Sequence, residues 1–73
     1  MKQILFIGLN HDQIPYLAVL KDLGYYVIGI DKNRTAPGVQ LVDFFINRGY
    51  EEYDEIEKAL LAEKNLKPNG VLI

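Results

Sequence analysis

The sequence contains no cysteine. That excludes disulfides, thiolate metal sites, a cysteine nucleophile and thiol redox chemistry, and it fits a cytoplasmic protein. No apolar run approaches the roughly 20 residues that span a bilayer; the longest are "ILFIG" and "YYVIGI". Neither sign of charge dominates, with 8 Lys and Arg against 10 Asp and Glu, a net charge of −2 and a pI near 5.2. The cations are scattered singly, so no basic field exists to attract a nucleic-acid backbone. Nucleic acid and membrane are therefore not expected partners. No catalytic triad, metal-ligand set, phosphate-cradling P-loop, internal repeat or linker can be found, and no catalytic or metal-binding residue is assigned.

What is present is ordinary globular composition, 49% hydrophobic and 25% charged over 73 residues. A chain of this length forms one domain, residues 1–73, and buries only about 60% of its unfolded surface. "ILFIG" (Ile4 to Gly8) and "YVIGID" (Tyr26 to Asp31) are near-continuous apolar runs, which predicts strands covered on both faces of a parallel sheet. Met1-Lys2-Gln3 leads directly into the first of them, which predicts no signal peptide ahead of the fold. Between the two strands "DQIPYLAVLKDLG" predicts a helix capped by Asp12, with Pro15 in its first turn and Gly24 ending it in a left-handed conformation. Ile14, Leu17 and Ala18, together with Tyr16, Leu20 and Leu23, form a broad apolar face on this helix. Tyr16, Tyr25 and Tyr26 are read as packing residues.

"KNRTAPG" predicts a loop, "VQLVD" a short helical turn and "FFIN" a third strand. Asp54 followed by Glu57 resembles a capping box for a second helix whose buried stripe is Ile56, Ala59 and Leu60. Glu51, Glu52 and Glu55 near its start complement the helix dipole. Pro68-Asn69-Gly70 then turns the chain into a fourth strand, "VLI". The result is a three-layer α/β/α, Rossmann-like open parallel sheet of four strands in the order 3-2-1-4. It is predicted to be truncated: Val71, Leu72 and Ile73 would lie half uncovered, which implies a fragment of a longer multidomain chain.

Ligands in such sheets sit beyond the carboxyl ends of the strands, where the strand order reverses beside strand 1. The turn there reads "GLNHDQ", which places Gly8, Asn10, His11 and Gln13 in the candidate site, with Asp31 at the end of strand 2. His11, the sole histidine, and the amides of Asn10 and Gln13 are of a kind that hydrogen-bonds a substrate anion. Asp31 either binds a ligand or braces the first helix. A dinucleotide site is the sharper alternative, because Asp31 follows Gly8 by 23 residues. Yet the G-x-G-x-x-G fingerprint reads Gly8, Asn10 and Gln13, so two of its three glycines are missing.

From "ILFIG" through "DKNRTAPGVQLVD" (Asp31 to Asp43), the "YDEIEKAL" helix and "NGVLI", the whole chain resembles the N-terminal, pre-ATP-grasp domain of ATP-grasp enzymes such as biotin carboxylase and carbamoyl phosphate synthetase. The most specific stretch is Asp31 to Asp43, similar to the family's aspartate, polar loop, Ala-Pro, small residue, apolar pair and aspartate. Many members have two or three glycines where this chain has "LNH". The resemblance implies a carboxylate-amine ligase in which ATP forms an acyl phosphate that a nucleophile then attacks. It further implies that ATP and Mg²⁺ are held by the remaining domains of the same chain, and that this domain, inert alone and without a cofactor of its own, lines the cleft for a small-molecule carboxylate. A homodimer is left open. Two other functions stand beside this one: a regulatory module that binds NAD or adenine nucleotides, and a non-catalytic assembly module.

Overall fold

A computed structural model describes residues 2–63 and 70–72. Four strands, β1 (Gln3–Ile7), β2 (Tyr26–Ile30), β3 (Phe44–Ile46) and β4 (Gly70–Leu72), form one parallel sheet in the order β3-β2-β1-β4. This is the expected order. In register, Leu5 lies beside Ile28 and Val71, and Ile28 beside Phe44. Pro68, Asn69 and Ile73 of the expected last turn and strand lie outside the described residues, as do the side chains of Val71 and Leu72 on which the expected truncation rests. Gly70 belongs to β4 itself.

Alternation along the strands sorts the core into two faces, because successive side chains point to opposite sides of the sheet. Leu5, Ile28, Ile30 and Ile46 pack under helix α2 (Tyr53–Ala62) through Ile56, Ala59 and Leu60. Phe6 and Val27 pack on the other face with Leu9, Ala36, and Leu17 and Leu20 of helix α1 (Ile14–Asp22). The expected three layers are therefore present. Helix α2 presents the expected stripe.

Helix α1 departs from expectation at both its start and its face. A 3₁₀ turn, His11–Gln13, precedes it, so Asp12 lies inside that turn; Asn10 and Gln13 stand at the cap positions, and neither side chain makes a cap hydrogen bond. Only Leu17 and Leu20 are buried on α1, whereas Tyr16, Val19 and the C-cap residue Leu23 are exposed. The helix is apolar nearly all round, and periodicity does not say which half of such a helix meets the sheet. Tyr16 is thus not a packing residue, while Tyr25 and Tyr26 are partly buried as expected. Gly24 has φ +85° and ends the helix as predicted.

The expected capping box on α2 does not form either. Glu52 occupies the N-cap position, and its carboxylate reaches back to accept a hydrogen bond from the Gly49 N–H at 2.6 Å. Asp54 and Glu55 lie in the first turn, where the helix dipole favours them. The helical turn expected at "VQLVD" forms slightly earlier, as a 3₁₀ turn over Pro37–Leu41.

Asp43 ties helix α1 to the sheet. The Asp43 carboxylate accepts from the Val27 N–H at 2.7 Å, extending the β2–β3 ladder by one bond before β3 begins, and pairs with Lys21 of α1. The second 3₁₀ turn sits against Leu9: the Gly38 N–H donates to the Leu9 carbonyl at 2.9 Å, and a Cβ at Gly38 would come within 2.9 Å of that oxygen. The Ala-Pro-Gly run thus meets a packing requirement, with Ala36 buried and Gly38 leaving room for another backbone.

Candidate functional site

At the carboxyl ends of β1, β2 and β3 lies an open crevice of about 320 Å³, at the lower end of the roughly 300–1,000 Å³ of ligand pockets. Ile7, Gly8 and Ile30 form its floor; Asn10, Asp31 and Lys32 stand on one side and Arg48, Gly49, Tyr50 and Glu51 on the other. Gly8 has φ +95°, a conformation that L side chains rarely adopt, and a Cβ there would meet no atom within 4 Å. The chain turns sharply at Gly8 while the floor above it stays open.

Of the expected site residues, Gly8, Asn10 and Asp31 line this crevice. His11 and Gln13 do not: they sit in the 3₁₀ turn leading into α1, His11 exposed and Gln13 half-buried. This crevice lies on the β3 side of β1.

Asp31 is a brace. One carboxylate oxygen accepts from the Leu9 N–H at 2.7 Å and the other from the Asn33 N–H at 2.8 Å. Beneath it, the Asn47 amide donates to the carbonyls of Asp31 and Lys32 at 3.0 and 2.9 Å, tying the end of β3 to the end of β2. Leu9 itself is wholly buried, and a Cβ at Gly29 would meet its methyl groups at 3.0 and 3.1 Å. Where a dinucleotide fold keeps bare backbone against a pyrophosphate, this turn sends a leucine into the core and offers its amide to a carboxylate.

Sequence reasoning missed the far wall, Arg48 to Glu51, and Lys32. The Lys32 ammonium lies 3.3 Å from a Glu51 carboxylate oxygen, bridging the loops after β2 and β3, and Arg48 lies 3.9 Å from Glu55. A main-chain hydrogen bond at Glu51, and secondarily Lys32, hold the Glu51 carboxyl below its ordinary value. The one available signal was topological: in a parallel sheet every strand ends on the same edge, so the loop after β3 must lie beside the loop after β2, on the edge that also carries the turn after β1.

Among the described residues no group of three or more His, Cys, Asp or Glu is placed to hold a metal ion, and both Asp31 oxygens are committed to main-chain N–H groups. Among the same residues, no helix is long and apolar enough to cross a membrane.

Parallel order, flanking helices and a crevice at the carboxyl edge define a Rossmann-like α/β domain. No protein-family model matches the sequence, and no curated protein matches it. Among solved structures, the chain is similar to N5-carboxyaminoimidazole ribonucleotide synthetase from Thermotoga maritima, with 28% sequence identity and a TM-score of 0.72 over 86% of this chain. That enzyme is an ATP-grasp ligase, and the likeness supports an N-terminal ATP-grasp-family domain. The chain spans 18% of the length of that structure.

Proposed function

We propose that this chain is the substrate-cleft domain of an ATP-grasp ligase, a protein that activates a carboxylate as an acyl phosphate for attack by an amine or similar nucleophile. The carrying observation is the likeness to the Thermotoga maritima synthetase over 86% of the chain. On this reading Gly8, Asn10 and Asp31 shape the floor and near wall of the cleft, while His11 and Gln13 form the neighbouring turn. Positioned cations and Mg²⁺, on which phosphoryl transfer depends, come from further domains of the same protein together with ATP. A cytoplasmic location and a small carboxylate substrate belong to the same proposal.

Two experiments test it. The purified 73-residue chain is expected to show no ATP turnover; turnover would overturn the assignment of the catalytic groups to other domains. The coding region around this segment is expected to encode a glycine-rich ATP loop and paired acidic metal ligands; their absence would overturn the ligase reading. A regulatory nucleotide-binding module is not favoured, because Asn10 and Gln13 stand where the dinucleotide fingerprint needs glycine for close approach of a pyrophosphate, and both Asp31 oxygens already accept from main-chain N–H groups. Titration with NAD and AMP is expected to show no micromolar binding.

A further inference from the structure

The far wall of the crevice has chemistry that the turn after β1 lacks. Lys32 on the near wall and Arg48 on the far wall both line the crevice, in a chain whose net charge is −2. Asp31, the acidic residue on the near wall, has its oxygens taken up by main-chain N–H groups. The other acidic residue is Glu51, and its position is informative. Its side chain folds back over bare backbone at Gly49, so closely that a Cβ on Gly49 would clash with the carboxylate, and from there it meets Lys32 at 3.3 Å. A carboxylate of the chain itself therefore occupies the mouth of the crevice on a cation that belongs to the opposite wall.

We propose that Lys32 and Arg48 bind the oxyanion group, carboxylate or phosphate, of a small ligand, and that Glu51 holds the place of that anion until the ligand displaces it. The Lys32 and Glu51 side chains are 76% and 52% exposed, and a pair that open to solvent contributes little to stability. A ligand that takes Lys32 from Glu51 thus forfeits little and gains a charge-assisted hydrogen bond. Arg48 is held more loosely still, at 3.9 Å from Glu55, and its planar fork suits either oxyanion. Tyr50, largely exposed on the same wall, offers a ring face to the body of the ligand. The proposal rests on the crevice being a ligand site; its test uses the chain alone, so it can fail independently of the ligase reading.

The test is titration of the chain with acetate and, separately, inorganic phosphate, followed by amide chemical shifts. The expected result is saturable shifts at Gly8, Lys32, Gly49 and Tyr50. Glu51→Gln is expected to tighten binding about 2–5-fold, the range that loss of an exposed competing pair allows. Gly49→Ala, which dislodges Glu51 without changing charge, is expected to act in the same direction. Lys32→Gln and Arg48→Gln are each expected to weaken binding, and Lys2→Gln, at the opposite edge of the sheet, to leave it unchanged. Tighter binding of acetate assigns the carboxylate, and of phosphate the phosphoryl group. No saturable shift for either anion in wild type and Glu51→Gln, or shifts that survive Lys32→Gln and Arg48→Gln together, would overturn the proposal.

Discussion

Replacing Asp31 by alanine distinguishes a brace from a ligand-binding carboxylate. The substitution removes the acceptor for the part-buried Leu9 N–H at 2.7 Å and for the exposed Asn33 N–H at 2.8 Å. Water replaces the second bond readily. The first leaves a shielded donor without its charged acceptor, at a cost of about 1.5–3 kcal/mol. A domain of 73 residues has a total stability of roughly 4–11 kcal/mol, so Asp31→Ala is expected to remove a substantial part of it. At about 4–8 °C per kcal/mol for a domain of this size, Tm should fall by about 6–24 °C. Asp31→Asn keeps an amide oxygen for Leu9 and should lose less than half as much. Urea denaturation with linear extrapolation gives the free energies, and exchange of the Leu9 amide locates the loss. If Asp31→Ala stays within about 0.5 kcal/mol of wild type, the range of an ordinary surface substitution, and Leu9 exchange is unchanged, the brace is wrong and Asp31 is free to serve a ligand.

Gly38→Ala is expected to destabilise by about 1–3 kcal/mol, as overpacking does, because the new Cβ would meet the Leu9 carbonyl oxygen at 2.9 Å and a Leu17 methyl at 2.8 Å; thermal melting reads it. Asp43→Ala breaks both the Val27 N–H bond and the Lys21 pair, whose side chains are 27% and 35% exposed. It should therefore cost clearly more than Lys21→Met, which loses only the pair, worth about 0.2–1 kcal/mol; equal losses in urea would assign the Val27 bond no weight. The Glu51 carboxyl is expected to titrate below 4.5 by NMR. Since its folded value lies below its unfolded one, its contribution to stability is present above the unfolded value and disappears as pH falls through the folded one. Lys32→Gln should move that titration only part of the way back, because the main-chain hydrogen bond, the larger cause, remains; complete restoration would reverse the ranking of the two causes.

The strands and their order were legible because residues buried on both faces leave continuous apolar runs, and parallel strands joined by helices admit few orders. Gly24 was legible for a similar reason, since a positive φ after an apolar helix calls for glycine. The caps were not. Asp12 and Asp54 carry side chains suited to capping, but a cap also requires the chain to enter the helix from an extended backbone, and a preceding 3₁₀ turn or a loop reaching back to Gly49 changes that entry. The exposure of Tyr16, Val19 and Leu23 was hidden for another reason: an all-round apolar helix gives no preference for one half, and the sheet buried Leu17 and Leu20.

In the Asp31 to Asp43 stretch, the order of residue types could be read, but not what the residues do. Asp31 turned out to hold the Leu9 amide, Asp43 the Val27 amide, and Gly38 to make room for Leu9, three long-range relations with no local trace. Local chemistry and periodicity were enough to determine four parallel strands, the glycine turns and the class of fold, since these depend on residues near one another along the chain. Which side chains face the crevice was decided only by tertiary structure, because the walls at Lys32 and at Arg48 to Glu51 are brought together with Gly8 by the strand ends and by nothing in their own sequence.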